Sequence, residues 1–425
     1  MRTLVLISAN FPFGTRESFL DTEFPFLFKA FERTIIISLN ETSDQKRSIP
    51  EHVILYKYRT TTSLSGYLHL PILFLGHLSI ITTIYREETA FRNNSGMSLS
   101  VKRKLFLLKK IIKALQLKVF IESRLKEIGV FSEVVFYSYW LNIGAYALGM
   151  INYNKSIRIS RAHGSDLYEE KTDIFYHPMI KHMAERLDAI FFISEHGEKY
   201  FSLKTGGGKS KLKLSRLGVL GPEYLRTERT GNGPFTIVSC SNVIKIKRID
   251  LIINALSLLE SLREIRWIHF GDGMMREDLE NMASGLLGKN NKVKYEFRGY
   301  IPNKEILEFY TTNEIHLFLN TSSTEGVPVS IMEAQSFGIP VIATDIGGVS
   351  EIVIEGTGYL LPVNFKPEEL AERIKQFMNM EPTEERKFRE SAFMNWNQKF
   401  NAAVNYPEFI RIVSSIFEKS IKENS

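Results

Sequence analysis

Short apolar runs alternate with longer amphipathic ones along the chain, and this alternation predicts the architecture. "RTLVLISANFPFG" reads as a buried strand running into a loop, followed by a helical pattern from about Ser18 to Phe31 and a second strand, "RTIIISLN". "SEVVFYSYW", "SIRISRAHG" and "AIFFISEHG" are further strands, each ending in a polar or glycine-containing loop. The rhythm pauses at "GVLGPEYLRTERTGNGP", where glycine, proline and charge mark a linker. It resumes with "FTIVSCSN", a helix from Asp250 to about Leu262, "IRWIHFGDG" and a helix from Met275 to Leu287. "KVKYEFRGYI", "EIHLFLNTSS" and "PVIATD" complete the second series. Strands that alternate with helices build parallel sheets, and their ligands sit beyond the carboxyl ends of the strands. The expected fold is α/β, with two Rossmann-like doubly wound domains facing across a cleft. Residues 1–218 form the first, 219–234 the linker and 235–396 the second; a helical segment, 397–425, is expected to pack back on the first.

Residues 60–130 are helical in composition and carry two unusual segments. Tyr67–Tyr85 approaches the length of a membrane span but contains His69, Pro71, Gly76 and His77, so a buried or membrane-surface helix is the better reading. In Lys102–Glu127, nine basic residues face only Glu122 and Glu127. Leu105, Leu108, Ile112, Leu115 and Val119 recur between them at three- and four-residue steps. The default reading is a solvated helix face; the alternative is a peripheral contact with an anionic membrane.

Bulk properties narrow the function classes. At 425 residues two domains are expected, and 44% hydrophobic with 24% charged residues is ordinary for a soluble enzyme. A net charge of +6 suits an anionic substrate or an anionic surface without choosing between them. The single Cys240 excludes a disulfide framework and a cysteine-based zinc site, and favours a reducing compartment. None of the nine histidines forms an HExxH pair, and Thr3–Ser8 is too short for a signal-peptide core.

The segment with the most chemistry is "TEGVPVSIMEAQSFGIPVIATDIGG", Thr324–Gly348, where Glu325 and Glu333 stand in a largely apolar run. The pattern gives a strand, a loop carrying Glu325, and a short helix that starts near Pro328 and carries Glu333. The free N–H groups at the helix start, with Gly326 leaving room, suit an anion. Two carboxylates beside a phosphate site suit a nucleotide sugar, one holding sugar hydroxyls and the other ribose hydroxyls. The competing reading is a capped helix with a solvated Glu333.

"EGVPVSIMEAQSFGIPVIATDIGGVSEIV" closely resembles the donor-site signature of the family 4 retaining glycosyltransferases of the GT-B fold, defined by Glu-x7-Glu. "HFGDGMMREDLE", "FRGYIPNKEILEFY", "SRLGV", "KRIDLIINAL", "FPFGTRESFLDTE" and "RAHGSDLYE" resemble that family's other motifs, in order, over nearly the whole chain. The resemblance implies that Glu325 contacts the transferred sugar and that Glu333 binds the ribose. It places Gly326, Val327, Pro328 and Val329 near sugar hydroxyls and phosphate, Lys247 on the diphosphate, and Gly273 in the glycine turn. Tyr300 and Ile301 would meet the base. His163 would lie near the reacting sugar with Asp166 ordering its loop, and Gly14 and Thr15 would lie near the phosphate or acceptor. The chain departs from the family at Ser241-Asn242-Val243, where Gly-Arg-Leu is usual: Asn242 replaces the phosphate-binding arginine. Lys245, Arg248 and Arg16, in the first loop, are the candidates to supply the missing charge.

The activity implied is transfer of a sugar from a nucleotide diphosphate sugar to a glycan or lipid-linked glycan hydroxyl, with retention. No cofactor and no nucleic acid enter it. The chain has no Asp-x-Asp pair, which favours metal-independent charge stabilisation by protein groups. Capsule, exopolysaccharide or O-antigen assembly at the inner face of the cytoplasmic membrane is the expected setting. The rivals are a GT-B phosphorylase or sugar-nucleotide epimerase, and a non-catalytic sugar-nucleotide-binding subunit.

Overall fold

The computed structural model describes residues 2–14, 17, 19–39, 46–58, 76–131, 133–206, 210–225, 233–260, 263–288 and 292–423. Thr15, Arg16 and the residues of Tyr67–Tyr85 before Gly76 therefore lie outside the described residues. The chain divides into two compact units, one of residues 1–216 with 406–425 and one of residues 217–405.

The first unit is built on a parallel sheet of seven strands in the order β3-β2-β1-β4-β5-β6-β7. These strands are Thr3–Ser8 (β1), Arg33–Ser38 (β2), Ile54–Lys57 (β3), Val134–Ser138 (β4), Ser156–Ala162 (β5), Ala189–Phe192 (β6) and Leu212–Leu214 (β7). All six residues of β1 are buried, as expected of a strand covered on both faces. Val5 and Ile7 pack into one core beneath the helix Val101–Glu127, through its Leu107, Ile111, Leu115 and Ile121. Leu4 and Leu6 face the opposite core, closed by Phe409, Val413 and Phe417 of the helix Ala402–Glu423. The alternation follows from the two-residue period of a strand.

The helix Val101–Glu127 differs from its sequence reading in an informative way. Its core stripe is Leu107, Ile111, Ala114, Leu117, Ile121 and Leu125. Of the apolar positions singled out by their spacing only Leu115 is fully buried, while Leu105 is 63% exposed and Val119 38%. The helix thus carries two apolar stripes of one period, and sequence periodicity cannot say which of them the sheet takes. No helix among the described residues is long and apolar enough to cross a membrane.

The second unit has a parallel sheet of six strands in the order β10-β9-β8-β11-β12-β13. They are Phe235–Cys240 (β8), Ile265–Phe270 (β9), Val293–Phe297 (β10), Leu317–Asn320 (β11), Val341–Thr344 (β12) and Gly358–Leu361 (β13). Three boundaries differ from the sequence reading. The helix begun at Ile249 ends at Ser257, because Leu258 and Leu259 turn back on the carbonyls of Ala255 and Leu256. The start of the expected linker is packed: a Cβ on Gly221 would lie 2.6 Å from Trp396, and Val219 exchanges backbone hydrogen bonds with Phe400 and Ala402. The C-terminal helical pattern is two helices, Pro382–Lys399 and Ala402–Glu423, broken where Asn401 bridges to Val219.

Candidate functional site

In the second unit the chemistry gathers at the carboxyl ends of β8 and β11. The loop after β11 carries Glu325, whose Oε1 accepts from Lys247 Nζ at 2.6 Å and Asn320 Nδ2 at 3.3 Å. The pair is mostly shielded from water, with the Lys247 side chain 19% exposed and the Glu325 side chain 10%. Thr321 Oγ1 donates to the carbonyls of Lys247 and Arg248 at 3.0 Å each, and Ser323 N to Ile246 O at 2.8 Å. The loops after β8 and β11 are thereby stitched together, and Lys247 is held over Glu325.

Arg248, a candidate to supply the charge missing at Asn242, is engaged elsewhere. Its backbone is left-handed at φ 49°, and its guanidinium donates to Thr321 O at 2.6 Å, Thr344 Oγ1 at 3.1 Å and Val363 O. It serves as a strut between three loops. Asn242 is exposed in the loop above the glycine turn. That turn needs its glycines: a Cβ on Gly271 would stand 1.8 Å from Ser241 O, and one on Gly273 2.4 Å from Val243 O. The close approach permits the hydrogen bond Val243 N to Asp272 O at 2.9 Å.

Glu333 lies on the helix Val329–Ser336 behind Gly326, Val327 and Pro328, and is buried at 7% exposure. Asn303 Nδ2 donates to its Oε1 at 2.6 Å. Burial pushes its carboxyl up to about 7, opposed by that bond, and the nearby Cys240 thiol is pushed up to about 12. Because the acid binds its proton more tightly when folded, its contribution to stability falls as pH rises from about 4.5 to about 7. Asn303 follows the exposed Tyr300 and part-buried Ile301, whose loop rests on the glycine turn through Gly271 N to Gly299 O at 2.9 Å. Lys247, Glu325, Gly326, Glu333 and the 299–301 loop thus form one rim of the second unit.

Gly347 braces this rim from behind. Its φ is 62°, a Cβ there would stand 2.4 Å from Glu325 O, and Gly348 N donates to Gly326 O at 2.7 Å. Gly347→Ala should therefore destabilise the protein by about 1–3 kcal/mol and displace the Glu325 loop. Thermal denaturation and nucleoside diphosphate titration check both; an unchanged Kd would show that the loop tolerates the push.

In the first unit, His163 follows β5 and is caged by aromatic rings. Its centroid lies 4.4 Å from Trp140, 5.0 Å from Tyr139 and 5.7 Å from Phe19. Asp166 orders this loop by accepting from His163 N and Leu141 N at 2.6 Å each. Neither ring nitrogen of His163 has a hydrogen-bond partner among the described residues. Gly14 is left-handed at φ 62°, and its carbonyl accepts from Arg47 Nε at 2.7 Å. Glu17 went unread in the sequence: it accepts from the amides of Ala9, Asn10 and Phe11 and from the Trp140 indole.

Residues 222–393 match the family described as glycosyl transferases group 1. That match lies within the second unit. WcaL of Escherichia coli K12, named as a colanic acid biosynthesis glycosyltransferase, is 25% identical over 52% of this chain and 55% of its own length. The poly(glycerol-phosphate) alpha-glucosyltransferase of Bacillus subtilis is 26% identical over 64% of this chain and 40% of its own. The chain spans about half the length, or less, of these curated relatives. Among solved structures, Anabaena Alr3699/HepE in complex with UDP and glucose superposes with a TM-score of 0.62 at 14% identity, covering 98% of this chain and all of that one. Sucrose-phosphate synthase of Thermosynechococcus elongatus gives 0.68 at 14% identity, covering 99% of this chain and all of its own. The fold is GT-B. Within the matched residues the rim of Lys247, Glu325 and Glu333 stands at the carboxyl ends of the strands, where open parallel sheets take ligands.

Proposed function

We propose that the protein is a retaining glycosyltransferase that moves a sugar from a nucleoside diphosphate sugar to a hydroxyl of a glycan or lipid-linked glycan. The observation that carries this reading is the Lys247–Glu325 pair at 2.6 Å, set beside buried Glu333 at the strand ends of a group 1 domain. Glu333 takes the ribose hydroxyls and Glu325 the transferred sugar. Lys247 and the amides that open the helix Val329–Ser336 take the diphosphate. As the anomeric bond breaks, negative charge grows on the departing phosphate, and the cation and amides aimed at it lower the barrier. The acceptor attacks from the same face, with a phosphate oxygen taking its proton. Within the first unit, His163, Asp166 and Gly14 are the candidate acceptor-side residues; within the second, the 299–301 loop meets the base.

The relatives' names support cell-surface polysaccharide assembly as the setting. A peripheral contact with the inner face of the cytoplasmic membrane is part of the same proposal. Val101 and Leu105 are 75% and 63% exposed on the basic helix, flanked by the exposed Lys102, Lys104 and Lys109. Arg103 donates to the carbonyls of Ile174 and Phe175, and Phe175 is itself 59% exposed beside them. An apolar ridge within a lysine field suits an anionic bilayer surface.

The donor reading is tested by thermal shift with UDP, GDP, CDP and ADP. One of the four should raise Tm in wild type, and Glu325→Gln should abolish transfer from the matching sugar nucleotide; silence from all four would sink the reading. For the membrane, Lys102→Glu with Lys104→Glu and Lys109→Glu should weaken sedimentation with phosphatidylglycerol vesicles at least about a hundredfold, at about 1 kcal/mol per lysine. Equal sedimentation of wild type and triple variant would remove the membrane from the proposal.

A further inference from the structure

We propose that Asn303 is a positioning residue for the donor nucleotide, fixing the Glu333 carboxylate so that its remaining acceptor capacity meets the ribose, and tying it to the loop that meets the base. This rests on the reading of Glu333 as the ribose carboxylate and extends it to a residue outside the Glu-x7-Glu signature. The geometry is specific. Asn303 is the first residue of the helix Asn303–Thr312, two positions past Ile301, and its amide reaches 2.6 Å to Glu333 Oε1 across 30 residues of sequence. Asn303 is an exposed residue while Glu333 is buried, so the bond ties a buried carboxylate to a residue at the surface.

Burial alone would leave Glu333 protonated at neutral pH, since a carboxylate loses hydration without a cation to replace it. The amide donor opposes this by stabilising the ionised form. The other groups around Glu333 stay neutral in the working range. Cys240, at the end of β8, is pushed up to about 12, and Tyr310 of the helix Asn303–Thr312 is raised well above its ordinary value. From the helix Pro382–Lys399, the neutral Asn395 meets Gln335 at 2.9 Å. Between pH 6 and 9, Glu333 is thus the group whose charge changes at this spot. A ribose hydroxyl donates to the ionised carboxylate, so donor affinity rises as pH climbs through the Glu333 pKa. Loss of the Asn303 bond moves that rise to higher pH.

The test is the pH dependence, from 6 to 9, of Kd for whichever of UDP, GDP, CDP and ADP wild type binds most tightly. Titration of the terminal phosphate is common to all variants and cancels in the ratio to wild type. Asn303→Ala should move the midpoint up by about one to two pH units, the worth of one hydrogen bond to a charged group. Affinity should fall about tenfold at pH 7, with recovery at pH 9. Asn303→Asp should move it at least as far, because two carboxylates at that distance share a proton. Asn303→His, whose Nδ1–H can stand where the amide stood, should lie closer to wild type above pH 7.5. The 2′,3′-dideoxy form of the same diphosphate should show no difference between wild type and Asn303→Ala. Curves for wild type and Asn303→Ala with one midpoint, whatever their vertical offset, would overturn the inference. Failure of wild type to bind any of the four diphosphates would instead overturn the donor reading beneath it.

Discussion

Lys247→Met should lower turnover about 10²–10³-fold, the scale set by removing one preorganised donor from a developing anion. The expectation is at the upper end because of what surrounds this lysine. Where the family that the sequence resembles usually has an arginine this chain has Asn242, and Arg248 is committed to the carbonyls of Thr321 and Val363 and the hydroxyl of Thr344. Without Lys247, the Glu325 carboxylate would face the diphosphate unscreened. Glu325→Gln combined with Lys247→Met should therefore recover part of the lost diphosphate affinity while transfer stays abolished. Conversely, Asn242→Arg should tighten diphosphate binding by about tenfold, the worth of a charge-assisted contact. Steady-state kinetics with the matching sugar nucleotide, beside calorimetric Kd values, separate these effects. Retention of kcat/KM within threefold of wild type by Lys247→Met would show that the leaving charge is carried elsewhere.

How much of this site is legible in sequence depends on where each partner lies along the chain. The Glu325 loop, the helix carrying Glu333 and the glycine turn are local patterns. Apolar runs, a proline at the helix start and glycines that admit a close backbone announce them within a few residues. Partners from distant segments leave no such trace. Asn303 meets Glu333 across 30 residues, and Glu17 meets the Trp140 indole across 123. A lone Asn or Glu in a loop has no spacing to be read. Arg248 shows the converse: its charge suggests a phosphate ligand, while its left-handed backbone and its bonds to two carbonyls and a hydroxyl make it a strut. The basic helix is ambiguous for another reason. Two apolar stripes of one period are equivalent until the sheet has chosen between them, and it took Leu107 and Ile111 over Leu105 and Leu108.

The largest stability effect should come from the first unit, at Arg161. Both members of the Arg161–Glu23 pair are wholly buried, and Nη2 meets Oε1 at 3.0 Å. Tyr137 bridges them, donating to Glu23 at 3.0 Å and accepting from Arg161 Nε at 2.8 Å. Arg161 also donates to Ser215 O at 2.8 Å and lies 4.7 Å over the ring of Phe409. Arg161→Met leaves a carboxylate with no cation in a dry core, and should destabilise the unit by about 3–5 kcal/mol. Glu23→Leu should do comparable damage by stranding the guanidinium. The two together should come within about 1–2 kcal/mol of wild type, because the desolvation cost of both charges is removed along with their attraction. Amide hydrogen exchange resolved to β1, β4 and β5 measures this, since it reads the first unit apart from the second. A double variant no better than either single one would show that the pair is held for its hydrogen-bond geometry and not for charge balance. That outcome would matter for function as well, because Arg161 stands two residues before His163 on the strand that presents it.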